Sequence, residues 1–243
     1  RHQLAGDMLD QRNTLTPRVI ANRLWHHTFG RGIVASTDNL GRLGKEPTHP
    51  ELLDYLASDL RDHGWSMKHT VKQLVMSRAF RSASTAPATS AQEDPANLYL
   101  AYFSPRRLDA EAVLDNINFV AHNDIRDRAV YTRAKRNSLN PFLKTFNYPI
   151  PTSTVGVRDV TDVPAQALTL MNGQVTHDAA QQWSGRLREL ENDTQRVQAI
   201  FKQAYAREAT EDELAACLSY ITGKAEDNSA ELSAKHAQLG KEL

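Results

Sequence analysis

His26 and His27 are neighbours, and imidazole ligates Zn, Cu and Fe, so a metal site is the first chemistry to test in this 243-residue chain. Adjacent helical positions point about 100° apart, and no His-Glu-x-x-His spacing occurs, so the two rings are not expected to share an ion. Arg23 and His27 are four apart, as are Asn22 and His26. Each pair makes a ridge able to meet a carboxylate or carbonyl, with Asp109 or Glu111 as partners. Arg106, Arg107, Asp109 and Glu111 stand at a predicted helix start, where N–H groups and the dipole favour an anion. Asp109 reads as an N-cap and Glu111 as a first-turn charge, against the competing reading of an acid–base pair.

Charge is distributed unevenly. Arg126 to Arg158 holds seven Lys or Arg against one acid, Asp127, whereas Glu189 to Leu243 holds eleven acids against six bases. Tyr131, Phe142, Phe146 and Tyr148 interleave with the basic residues, a mixture that suits sulfated or uronic sugars, phosphates or an acidic protein face. The plainer alternative is that these arginines satisfy carbonyls and acids of their own domain. The candidate ligand-binding set is Arg23, His27, Arg107, Arg133, Arg136 and Arg158. Arg133, Arg136 and Arg158 are expected on one face with at least one of Arg23, His27 or Arg107. Catalytic residues are not assigned.

The single cysteine, Cys217, excludes an intrachain disulfide and a cysteine-rich metal cage. It falls on an apolar stripe with Leu214, Leu218 and Ile221, as a buried thiol does. No Cys-x-x-Cys-His occurs, so this segment attaches no c-type haem, and no bound metal is expected. A Gly-x-Ser-x-Gly elbow and a Gly-rich phosphate cradle are also missing.

Helices must position these groups. Thr16 with Pro17 opens a first helix carrying Val19, Ile20, Leu24 and His27, and Gly30 stops it. Thr48 and Glu51 have capping-box spacing before the stripe Leu52, Leu53, Leu56, Ala57 and Leu60. Ser66 caps a third helix with Met67, Val71, Leu74 and Val75. Asp94-Pro95 opens a short helix ending near Ser104, and Asp109 a longer one with Val113, Leu114 and Ile117. From Asn123 to Asp162 the helical period is lost, save for a short strand at Ala129 to Thr132. Helices resume at Val163–Asn172, Val175–Leu190, Thr194–Ala206 and Glu211–Thr222, the last with a Thr210/Glu213 capping box. The fold class is therefore all-α, with one long irregular insertion and at most a minor β element. The expected organisation is a helical subdomain at 1–81, a small-residue connection at 82–93, and a second helical subdomain at 94–224. That subdomain contains the basic stretch 123–162, and a polar helical tail follows at 225–243.

Formal charge is zero, which removes any global argument for nucleic acid. No apolar run approaches the about 18 residues that a membrane span needs.

Several motifs occur in a fixed order: NRLWHHTFGRG at 22–32, HPELLD at 49–54, GWSMK at 64–68, RRLDAE at 106–111, Val130-Tyr131 with Arg133 and Arg136, and PAQALTLMN at 164–172. Together they resemble the planctomycete-type C-terminal domain of unknown function, from about Pro17 to the helix after Glu211. The resemblance implies a piece of a large exported protein that carries a planctomycete-type cytochrome c domain. It thus implies an extracytoplasmic setting, periplasm or cell surface, with haem elsewhere in a parent chain and companion domains as partners. One departure stands out: family members run from the helix containing Asp115 into a Gly-rich stretch, whereas here Phe119 to Arg126 leads straight to Val130.

Two functional classes follow. One is a non-catalytic architectural or binding module engaging an anionic polysaccharide or a companion domain. The other is an enzyme, either a hydrolase on envelope or algal polymers or a haem-linked redox partner. A cleft with converging Arg, His and carboxylate groups would favour the enzyme, and an aromatic, basic strip would favour binding.

Overall fold

A computed structural model describes residues 1–87, 89–121, 128–133, 135 and 138–223. The expected tail 225–243, Arg136, and most of the departure after Phe119 lie outside the described residues. The described residues are all-α, their β element being an isolated bridge between Lys135 and Ser138. No helix among them is long and apolar enough to cross a membrane. The chain forms two compact units, 1–108 with 149–160, and 109–148 with 161–243. Residues 82–93, expected as the connection, lie inside the first unit, and the first crossing between units falls at Leu108–Asp109.

In the first unit α1 (His2–Leu9) precedes α2 (Leu15–Phe29), α3 (Pro50–Asp62), α4 (Met67–Met76) and a short α5 (Ser90–Glu93). α2 packs against α3 and α4. Ala21 and Trp25 of α2, Leu53 and Leu56 of α3, and Leu74 of α4 meet in one core with Ile33 and Val34. Ser66 caps α4 as expected, accepting from the His69 N–H at 3.3 Å. Two other caps differ. Asn13, not Thr16, meets the free N–H groups of α2, at 3.0 and 3.2 Å from Leu15 and Thr16. Thr48 turns away from α3 to donate to the Ile33 carbonyl, through both its N–H and its hydroxyl. The helix expected after Asp94 is instead a loop, because the Asp94 carboxylate accepts from the N–H groups of Leu98 and Tyr99 at 2.9 and 2.8 Å.

The second unit holds α6 (Ala110–Val120), α7 (Pro141–Thr145), α8 (Pro164–Asn172), α9 (Gln174–Leu187), α10 (Asp193–Tyr205) and a helix at 211–223. Asp109 occupies the N-cap position of α6 without a capping side-chain bond. The expected strand at Ala129–Thr132 is a 3-10 turn at Ala129–Tyr131, held to α6 by the Ala129 N–H donating to Asp115 Oδ1 at 2.6 Å. Within the stretch expected to be irregular, Asn140 caps α7 and Pro141 occupies its first turn. Phe142, Leu143 and Phe146 are thereby buried with Ala110 and Leu114, so these two phenylalanines build a core and not an aromatic ligand face. Cys217 is half-buried.

The Thr210/Glu213 box is present and extended. Arg207 grips the Glu213 carboxylate with two N–H groups at 2.7 and 2.8 Å, the Thr210 N–H adds a bond at 2.9 Å, and together they hold the Glu213 carboxyl down to about 2. A depressed carboxyl stabilises the fold above its unfolded pKa of about 4.3, and that contribution is lost as pH falls toward the folded value. An NMR titration of Glu213 is expected to give a midpoint near 2, and Glu213→Gln to speed amide exchange in the first turn of 211–223. A midpoint near 4.3 would contradict this reading of the box.

Candidate functional site

α2 ends where Gly30 adopts a left-handed conformation (φ +84) and its N–H closes on the His26 carbonyl at 2.7 Å. Two residues later the chain passes so close to itself that a Cβ on Gly32 would lie 2.4 Å from the Val34 carbonyl and 3.0 Å from the Asn22 amide atoms. Only glycine tolerates that approach. The amide of Asn22, fully buried, bonds both backbone groups of Val34, donating to its carbonyl at 2.9 Å and accepting from its N–H at 2.8 Å. Asn22 is therefore a brace inside the first unit rather than part of an exposed ridge with His26.

This turn forms one wall of a cavity of about 230 Å³ in the first unit. Trp25 and Phe29 supply aromatic surface, Arg31 and Arg106 supply guanidinium groups, and Thr48 and His49 add polar edges. Arg106 is positioned by its Nη1, which donates to the His27 carbonyl at 2.8 Å. The opposite wall is the loop after Asp94. Asn97 and Leu100 sit there at positive φ, 48° and 54°, a conformation costing an L-residue about 1–2 kcal/mol. Asn97 holds the loop by donating to the Tyr102 carbonyl and the Ser104 hydroxyl, at 2.8 and 2.9 Å. No Asp or Glu is among the described residues lining the cavity. It can therefore bind an anion beside aromatic surface, but it lacks the paired carboxylates of glycoside hydrolysis.

The expected ligand residues relate to this cavity unevenly. Arg23 and His27 are exposed on α2, and exposed Arg107 follows Arg106 in the same unit. None of the three lines the cavity, and the lining arginines are their neighbours Arg31 and Arg106. Half-buried Arg158 belongs to the 149–160 segment of the first unit, and exposed Arg133 to the second unit. His26 and His27 meet edge to face, with centroids 5.3 Å apart and planes at 67°.

A second grouping was not foreseen. Asp59 of α3, His63 at its C-cap and His69 in the first turn of α4 each offer one ligand atom, all within 4.8 Å of one another. The i,i+4 spacing of Asp59 and His63 was a signal in the sequence. His69 joins them only through the turn at Gly64–Ser66.

Against known proteins, the family model described as "Protein of unknown function (DUF1553)" matches residues 1–124 and 118–221. The two segments meet where the chain runs from Phe119 straight toward Val130. No curated protein and no solved structure matches this chain. With residues 1–221 matched, in agreement with the motif resemblance, the chain belongs to the DUF1553 family of proteins of unknown function.

Proposed function

We propose that this chain is a non-catalytic binding module of an exported, multidomain protein, and that its cavity takes an acidic group of an anionic polysaccharide. The observation that carries the reading is the pairing of Arg31 and Arg106 with Trp25 and Phe29 around a cavity free of lining carboxylates among the described residues. A guanidinium offers a planar fork of N–H donors that matches a sulfate or uronate carboxylate. The volume is below the about 300–1,000 Å³ of drug-sized pockets, which suits one sugar unit of a longer chain crossing the surface. The exported setting rests on the motif resemblance.

Calorimetric titration with a sulfated oligosaccharide and a uronic-acid oligosaccharide tests this, with a neutral oligomer of equal length as reference. Binding is expected to weaken with salt, and Arg106→Glu to reduce it by about 10–100-fold, the effect of losing one charge-assisted hydrogen bond of about 1.5–3 kcal/mol. Equal binding of the neutral oligomer, or undiminished binding by a folded Arg106→Glu variant, would overturn the proposal.

A further inference from the structure

Tyr99 stands beside the cavity without lining it. Its neighbours Leu98 and Leu100 both line the cavity, and its ring meets that of His49, another lining residue, with centroids 5.6 Å apart and planes at 80°. Tyr99 is nevertheless 72% exposed. Most of the ring is therefore open to a molecule that already occupies the cavity.

Three observations separate this tyrosine from an ordinary surface aromatic. Its backbone is fixed, because the Asp94 carboxylate accepts from the N–H groups of Leu98 and Tyr99 at 2.9 and 2.8 Å. Its ring rests against a braced neighbour: the Thr48 hydroxyl donates to the Ile33 carbonyl at 3.3 Å, so it accepts from His49 Nδ1 at 2.9 Å. Leu100, at φ 54°, is a bulky residue in the left-handed region, and Asn97 sits there too, at φ 48°. Such conformations cost free energy that a loop merely joining two helices would shed, and they gather where a protein holds a group ready for a ligand. A tyrosine held in this way offers a large amphipathic surface with little entropy left to lose on binding.

We infer that Tyr99 is a stacking platform for the sugar unit next to the one in the cavity, so that the site recognises at least two consecutive units of the polysaccharide. This rests on the binding reading above and adds to it the uncharged half of recognition. In that reading Arg31 and Arg106 meet an acidic group, which a free anion also carries, whereas Tyr99 meets the C–H face of a pyranose ring, which a free anion lacks. Only the His49 ring separates the platform from the cavity, which places the two contacts on adjacent units. Stacking takes apolar surface out of water, a contribution that salt does not screen. The ligand class is thereby narrowed to an acidic sugar polymer with an apolar ring face beside its charged unit, in contrast to phosphate, free sulfate or an acidic peptide.

Calorimetric titration of the full chain with trigalacturonate and with a galactose trisaccharide bearing sulfate esters, each beside its acidic monosaccharide, tests the platform. Tyr99→Ala is expected to weaken trisaccharide binding by about tenfold and to leave its decline with salt unchanged, while monosaccharide binding stays at the wild-type value. Tyr99→Phe is expected to retain the trisaccharide, because the ring face and not the hydroxyl makes the contact. Neither variant threatens the fold, since the side chain is exposed and the Asp94 bonds go to backbone N–H groups. Wild-type affinity for the trisaccharides in Tyr99→Ala, or a loss in Tyr99→Phe as large as in Tyr99→Ala, would overturn the inference. In both cases the weakening caused by Arg106→Glu would still stand, whereas absence of binding of both trisaccharides by the wild-type chain would overturn the cavity reading as well.

Discussion

Replacing Asn22 with alanine is expected to destabilise the protein by about 3 kcal/mol, since each buried polar group left unpaired costs about 1–3 kcal/mol and two are affected. Those groups are the Val34 N–H and carbonyl, which Asn22 serves at 2.8 and 2.9 Å from a fully buried position. Val34 is itself buried, so water does not replace the amide. Asn22→Asp is expected to be at least as damaging, because a carboxylate accepts from the Val34 N–H but sets a buried negative charge against the Val34 carbonyl. Urea unfolding followed by tryptophan fluorescence measures both. Because the same brace sets the turn around Gly32, the oligosaccharide binding proposed for the cavity should weaken in whatever fraction remains folded.

The second large effect belongs to the buried face of α3 near its C-terminal end. Leu60 is fully buried, and the Trp65 N–H donates to its carbonyl at 2.8 Å where α3 ends. Leu60→Ala removes the buried methyl groups and leaves a space that the helix backbone cannot close, costing about 2–5 kcal/mol. A loss of about 3 kcal/mol lowers the urea midpoint by about 1 M at an m-value near 3 kcal/mol/M. A change under about 1 kcal/mol would mean that the surroundings of Leu60 relax to fill the space and are less rigid than its burial indicates.

Leu60 was legible in the sequence and Asn22 was not, for a physical reason. The apolar stripe from Leu52 to Leu60 and the caps at Ser66 and Thr210 are local patterns, written within one or two helical turns. Asn22 makes its bonds twelve residues away, and only the fold supplies Val34. Phe142 and Phe146 were misread in the opposite sense. Surrounded by arginines and lysines they resembled a ligand face, although Asn140-Pro141 is a local helix-start signal that would have placed them on α7. The cavity followed the same divide. Gly30 marked a helix exit, but the loop from Asp94 to Ser104 that shares the cavity lining with it is set by side-chain bonds of Asp94 and Asn97, which no periodicity records.

The return of residues 149–160 to the first unit has a consequence for how the chain is made. The chain passes between units at 108–109, 148–149 and 160–161, so no single cut separates one complete unit from the other. A truncation at Leu108 would remove Gly156, whose carbonyl receives the hydroxyl of buried Thr37 at 2.6 Å. During synthesis Thr37 must wait for a partner 119 positions behind it, about 6–24 s at the usual about 5–20 residues per second. Through that interval the second unit's first 40 residues, 109–148, emerge while the first unit is still unfinished. The ribosome therefore delivers two interleaved folding problems, and the Thr37 contact of the first unit closes only after Gly156 has emerged.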